Sequence, residues 1–163
     1  MNWPAVAILA FVTVERLAEL RLAARNTRRL LARGAREHGA GHYPLVVLLH
    51  LAWLATLWVA APAREGIDLF WLAMFVLLQA ARIWVIATLG PRWTTRIIVL
   101  PDEPLVRDGP YRFLAHPNYW VVAGEIAVLP LVFGLPLVAL AFTFLNAAML
   151  AVRIREENRA LLR

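Results

Sequence analysis

Two groups of side chains in this sequence have the types and spacing to do chemistry. The first lies in residues 104–119. There Gly109-Pro110 makes a turn, and Pro117 drives His116 out of the helical region just before an apolar helix begins. His116 is therefore expected at a helix entrance, where backbone N–H groups are free and the positive end of the helix dipole suits a carboxylate. Tyr111 and Tyr119 add aromatic faces on which a nucleobase could pack or a cation could rest. The second group is Asn146, Leu150, Arg153 and Glu157, spaced by four, three and four, which is one stripe of a helix. Arg153 and Glu157 are either an exposed i,i+4 ion pair, worth about 0.3–0.5 kcal/mol, or two ligands for one zwitterion. The plainer reading of residues 104–119 is a proline-rich connector whose tyrosines anchor at a membrane interface.

Helices in lipid are what must position these groups. The chain of 163 residues is 61% hydrophobic, with mean hydropathy +0.64. Soluble domains are about 45–50% apolar, so much of this surface must face lipid. One domain is expected over residues 1–163, with a three-helix membrane part (1–89) followed by a connector, helical hairpin and tail (90–163). Apolar runs of spanning length cover residues 3–22, 43–62 and 68–89. Pro91, Pro101, Pro104 and Pro110 then break any long helix through a polar stretch containing Arg92, Arg96, Asp102, Glu103 and Arg107. Residues 119–152 are apolar for longer than one span. Phe133-Gly134-Leu135-Pro136 divides them, which predicts two short helices in a tight hairpin. The fold class is thus an all-α integral membrane bundle of about five transmembrane helices, the last two forming that hairpin.

All 17 basic residues are arginines and the net charge is +6. They cluster at span ends and form no single basic face, which argues against a nucleic-acid partner and for membrane lipids as the neighbours. Arg25, Arg28, Arg29, Arg33 and Arg36 make the first loop cytoplasmic, whereas residues 63–67 hold only Arg64 beside Glu65. The N-terminus is then outside. Residues 90–118 and the tail with Arg153, Arg155, Arg159 and Arg163 are then inside, in a multi-pass membrane protein. Residues 1–22 have no basic start or small-residue cleavage site and read as a retained first helix. Without cysteine there is no thiol nucleophile or thiolate metal site, and no metal is expected.

Ionisable residues within the spans need partners. Glu15 and Glu19 share a face of the first helix with Arg16 in pairing range of Glu19. On the second helix Tyr43 and His50 share a face. On the third Arg82 shares one with Gln79 and lies too deep to reach the interface easily, so Glu125 of the fourth helix is its expected partner. Trp3 and Trp71 read as interfacial anchors.

The run Leu105-Val106-x-x-Gly109-Pro110-Tyr111-Arg112-x-x-x-His116-Pro117-Asn118-Tyr119, followed later by Arg153-x-x-x-Glu157, resembles the isoprenylcysteine carboxyl methyltransferase family of membrane enzymes. These motifs cover the last two fifths of the chain; the first three helices match in topology only. The resemblance implies S-adenosylmethionine as methyl donor, held without a Rossmann domain, in keeping with a sequence that has no G-x-G-x-x-G. It implies cofactor contacts from Tyr111, His116, Pro117, Asn118, Tyr119 and Glu157, and from a strand-like stretch at Pro104, Leu105 and Val106. It places Arg153 toward the substrate. Glu103 departs from the pattern, standing where eukaryotic members have a histidine. The run Trp93-Thr94-Thr95-Arg96-Ile97-Ile98-Val99 and Gly41-His42-Tyr43-Pro44 resemble the bacterial branch, which includes methyltransferases of alkylpyrone and alkylresorcinol lipids.

Methyl transfer from a sulfonium is an in-line displacement, so alignment and exclusion of water matter most. The expected acceptor is a lipophilic enol, phenol or carboxylate reaching the site from the bilayer, with prenylated-cysteine carboxylate second and a phospholipid amine third. Arg153 would hold an acidic acceptor as its anion. A less acidic hydroxyl would need a base, for which His116, His50 and Glu125 are the candidates, the last two also as substrate contacts. Two other classes stay open: a sterol-type reductase using NADPH and a non-catalytic membrane scaffold.

Overall fold

Every long helix here begins or ends on a recognisable device. The computed structural model describes residues 1–101 and 103–161; Asp102 and Arg163, named above, lie outside the described residues. Helix α1 (Trp3–Ala32) starts at Asn2, whose side-chain oxygen accepts the Ala5 N–H at 3.1 Å, with Pro4 in the first turn. Helix α2 (Tyr43–Ala60) carries Pro44 in its first turn. Helix α3 (Leu69–Leu89) is capped by Asp68, which accepts the Phe70 and Trp71 N–H groups at 2.9 and 3.2 Å. Helix α4 (Pro117–Val132) begins at the His116-Pro117 break. It ends in a Schellman turn, where Gly134 at φ 65° donates to Leu131 O and Leu135 to Pro130 O, both at 3.0 Å. Pro136 then opens helix α5 (Pro136–Leu161), so the expected hairpin is present.

Three helical segments, residues 40–63, 69–92 and 136–161, are long and apolar enough to cross a membrane. Helix α4, with 16 residues, is roughly 24 Å long at 1.5 Å per residue and packs between α3 and α5. Leu45, Leu48, Leu51, Val59, Ile83, Leu137 and Phe144 stay exposed and form a lipid-facing surface. Ala5, Leu9 and Val12 of α1 pack with Trp53 and Leu57 of α2, Phe75 of α3 and Ile126, Leu129 and Val132 of α4 in the main apolar core. The N-terminus, residues 61–66 and the α4–α5 turn gather at this end, tied by Asn2 N to Pro62 O and Asp68 N to Val132 O, both 3.0 Å.

The opposite end holds a small element that the apolar periodicity does not announce. Strands β1 (Arg36–His38) and β2 (Ile97–Val99) pair antiparallel, with Glu37 opposite Ile98. Two sequence expectations are corrected here. Arg25, Arg28 and Arg29 do not lie in a loop, because α1 runs on to Ala32 and a helix of such length carries its arginines out of the lipid on its own axis. Pro104, Leu105 and Val106 do not form a strand; residues 103–107 have no regular structure, and the strand falls at Ile97–Val99, where β-branched residues run together. Trp3 is exposed as an anchor should be, but Trp71 packs against the core.

Candidate functional site

The charged residues within the helices form one buried network. Arg82 donates Nε and Nη2 to Glu19, the latter at 2.7 Å, and Nη1 to Glu125 at 2.6 Å. Arg16 reaches Glu19 at 3.0 Å, Glu15 at 3.1 Å and Glu125 at 3.2 Å. With its amide nitrogen turned toward the carboxylates, Gln79 donates to Glu15 and Glu125, each at 3.1 Å. The expected Arg82–Glu125 pair thus belongs to a larger set that cross-links α1, α3 and α4. Glu125 is consumed by it.

The site proper is assembled at the connector end. Asn26, buried on the extension of α1, donates to Trp93 O at 2.8 Å and Gly90 O at 3.2 Å, which fixes the turn leaving α3. Trp93 is buried beneath the connector with Ala23, Val85 and Val121, and Tyr111 packs against this second cluster. Glu103 is held by Arg33 and Arg92, both at 3.1 Å, while Arg92 Nη1 also donates to Pro104 O at 2.7 Å. The residue that departs from the eukaryotic pattern therefore clasps the 103–106 stretch to α1 and to the end of α3. Gly109 at φ 53° turns the chain against α3, where Thr88 and Trp84 leave no room for a Cβ.

These elements enclose a cavity of about 230 Å³ between the connector and α5. Pro104, Leu105, Val106, Tyr111, His116, Asn118, Tyr119, Arg153 and Glu157 all line it, together with Trp93, Arg96 and Ile97–Val99. Tyr119 donates its hydroxyl to Glu157 at 2.5 Å, and His116 Nδ1 lies 3.5 Å from the same carboxylate oxygen. The His116 ring stacks on Tyr119 at 5.4 Å, and its Nε2 meets Asn158 Oδ1 at 3.1 Å. The Arg153 guanidinium lies over the Tyr119 ring, 5.5 Å from its centroid, and donates to Thr95 O at 3.0 Å. Arg153 and Glu157 each have a partner other than one another, which disfavours the simple i,i+4 ion pair. Burial first, and the Glu157 charge second, push the Tyr111 phenol above its usual range, so it stays a neutral donor.

Pro117 does not line the cavity; it is buried and starts the helix that presents Asn118 and Tyr119. His50 and Glu125 are also outside the lining. His50 Nδ1 bonds Val46 O of its own helix at 2.8 Å. Neither is thereby brought to the cavity. Asn26, Trp93 and Glu103 position the site; Trp93 and Glu103 stand out in the sequence only through the family resemblance, and Asn26 does not stand out at all.

Several polar groups at this cavity are placed to receive a ligand. Glu157 offers a carboxylate to an ammonium; in the first turn of α4 Pro117 has no N–H and the Tyr119 and Trp120 N–H groups meet His116 O at 3.1 and 3.4 Å, which leaves the Asn118 N–H for a carboxylate. Trp93 Nε1 and Asn118 Oδ1 are buried without partners among the described residues, a donor and an acceptor on residues that line one cavity.

Residues 71–163, more than half of the chain, match the model of the isoprenylcysteine carboxyl methyltransferase family. The chain is 36% identical over 165 residues to the Bacillus subtilis (strain 168) protein named Uncharacterized protein YpbQ, covering 99% of this chain and 96% of that one. It is 26% identical over 157 residues to an Uncharacterized protein of Haemophilus influenzae (strain ATCC 51907 / DSM 11121 / KW20 / Rd), covering 93% and 91% of the two chains. No solved structure matches it. The chain belongs to the isoprenylcysteine carboxyl methyltransferase family and is a membrane methyltransferase of it.

Proposed function

We infer that this protein is an S-adenosylmethionine-dependent O-methyltransferase whose acceptor is a lipophilic enol, phenol or carboxylate, with a long-chain alkylpyrone or alkylresorcinol as first choice. The observation that carries this reading is the meeting of Glu157, Tyr119, His116 and Arg153 at one cavity, on the end of a lipid-facing bundle. Glu157, His116, Tyr111, Asn118, Tyr119 and the Pro104-Leu105-Val106 stretch hold the methyl donor. When bound, S-adenosylmethionine supplies an electrophilic methyl on a good leaving group. Arg153 draws the acceptor oxygen into line as an anion by charge-assisted hydrogen bonding. The residues around the cavity would hold donor and acceptor in line, so that the methyl could pass from the donor sulfur to the acceptor oxygen with the donor's sulfur as leaving group. An acceptor that arrives protonated gives its proton to His116, the one of the three candidate bases that lines the cavity. The apolar walls at Leu105, Val106 and Ile97 keep water from the reacting oxygen.

The arginine-rich ends of α1 and α5 and the connector lie at the same end of the bundle. This supports a cytoplasmic site with the N-terminus outside, in a bacterial inner membrane. A water-borne donor and a lipid-dissolved acceptor then meet at one depth. The test is incubation of membranes containing the protein with methyl-labelled donor and a panel of alkylresorcinols, alkylpyrones, prenylcysteines and phosphatidylethanolamine. Label in an O-methylated lipid that disappears with Glu157→Gln supports the reading. Label confined to an amine headgroup, or binding of NADPH in place of S-adenosylhomocysteine, overturns it.

A further inference from the structure

A second groove lies on the other side of the connector from the cofactor cavity. It is lined by Leu20, Ala24, Thr27 and Arg28 of α1, by Tyr43 at the start of α2, and by Thr95 and Arg96. The α1 residues stand at i, i+4, i+7 and i+8, one stripe that turns from apolar to polar over roughly 12 Å of helix. Helices α1 and α2 are joined at their far ends, where Trp58 Nε1 donates to Thr13 Oγ1 at 3.1 Å above the shared core. Toward the connector α1 instead buries Ala23 and Asn26 against Val85, Trp93 and Val121, so the two helices part and the groove opens between them.

Thr95 links this groove to Arg153. Its hydroxyl meets Tyr43 OH at 2.9 Å, and its carbonyl accepts Arg153 Nη2 at 3.0 Å. Arg96 lines both spaces and lies 4.7 Å from the Tyr43 ring centroid. Among the described residues no carboxylate lines the groove. Its polar end therefore offers the Arg28 guanidinium, the Tyr43 and Thr95 hydroxyls, and Arg96, whose Nη1 is held from outside the groove by Glu37 at 3.1 Å, and no lining carboxylate that would hold an ammonium.

We propose that this α1–α2 groove is the binding site of the methyl acceptor. Its occupant is a single-chain amphiphile whose acidic oxygen head lies against Tyr43, Thr95 and Arg96, and whose chain lies along Leu20 and Ala24. This rests on the methyltransferase reading and sharpens it. The head reaches the reaction by taking the place of Thr95 O on Arg153, and amine-headed lipids are excluded by charge. The polarity gradient along α1 matches an amphiphile entering from the leaflet nearest the connector.

The test uses the full chain in nanodiscs with two photoreactive probes, a diazirine-bearing hexadecanoic acid and the corresponding hexadecylamine, and maps the labelled peptides. The acid probe should label residues 20–28 and the start of α2 at least tenfold more than the amine probe does. Ala24 is exposed, so Ala24→Trp fills the groove without disturbing the core. It should cut that labelling at least fivefold while S-adenosylhomocysteine affinity stays within twofold. Arg28→Glu, also at an exposed position, should reverse the preference between the probes and serves where the tryptophan variant fails to fold. Normal S-adenosylhomocysteine binding with labelling that ignores both variants overturns the groove alone. Loss of S-adenosylhomocysteine binding in the unaltered protein overturns the methyltransferase site and the acceptor assignment together.

Discussion

Replacing Arg82 with leucine should destabilise the packing of α1, α3 and α4 against one another. The guanidinium makes all of its contacts with Glu19 and Glu125, at 2.6 and 2.7 Å for its two terminal nitrogens, and those carboxylates are only 10% and 5% exposed. Leucine fills similar space but leaves two carboxylates facing each other beside Glu15, with Arg16 as the remaining cation. Breaking a buried pair by removing one partner costs about 3–5 kcal/mol, or roughly two to three and a half decades in the folding equilibrium. Removing the charges together costs far less, so Glu19→Gln and Glu125→Gln added to Arg82→Leu should recover most of the loss. Arg82→Lys should recover little, because one ammonium does not span both carboxylates as the guanidinium fork does. Reversible unfolding in mixed micelles, followed by tryptophan fluorescence and far-ultraviolet circular dichroism, gives these free energies. S-adenosylhomocysteine affinity of the folded fraction should stay within about threefold. A stability loss below about 0.5 kcal/mol would refute the structural role. Unchanged stability with lost cofactor binding would move the network into the functional site.

Further expectations concern the connector. Asn26→Leu strands two carbonyls, Gly90 O and Trp93 O; it should cost about 1–3 kcal/mol and speed hydrogen exchange through residues 90–99. Gly109→Ala forces a Cβ to 2.5 Å from Thr88 Oγ1 at a φ of +53°; it should cost on the order of 1–3 kcal/mol in the same unfolding assay, partly relieved by Thr88→Ala. Burial and then Glu157 raise the Tyr111 phenol. The stability this residue contributes is therefore whole below pH about 10, where tyrosine is neutral in both states, and is lost as pH rises above it, because the unfolded chain ionises first. Tyr111→Phe should reduce that alkaline loss and remove one of the two late-titrating tyrosinates, since burial and Glu157 raise Tyr119 in the same way.

Much of the scaffold was legible because lipid imposes long apolar runs with hard edges. Residues 68–89 were expected as a span and α3 occupies Leu69–Leu89 with Asp68 as its cap. The Phe133-Gly134-Leu135-Pro136 turn combines a left-handed glycine with a proline that can only begin the next helix. The end of α1 is not legible in the sequence because arginine there satisfies a loop reading and an amphipathic-helix reading equally; tertiary contacts through Asn26 decide between them. Strands of three residues carry no usable period, so β1 and β2 were invisible, and the strand expected at Pro104-Leu105-Val106 was assigned to the wrong part of the connector. In the site, residue types at a helix entrance and along one stripe of α5 pointed to His116, Tyr119, Arg153 and Glu157. Spacing could not show that Glu157 is held by Tyr119 or Arg153 by Thr95, since both contacts join segments far apart in sequence. His50 and Glu125 share the polarity of a site but lie outside its cavity, and depth alone gave no way to separate them.

The central claim is that the cavity between the connector and α5 holds the methyl donor through Glu157. Calorimetric titration of the purified protein with S-adenosylhomocysteine, alongside Glu157→Gln and His116→Ala, tests it most directly. The unaltered protein should bind with micromolar-range affinity. Loss of a charge-assisted contact, worth about 1.5–3 kcal/mol, should weaken binding by the Glu157→Gln variant roughly ten- to 150-fold while its melting behaviour is unchanged. Equal affinity in all three proteins, or saturable binding of NADPH with none of S-adenosylhomocysteine, would contradict the account.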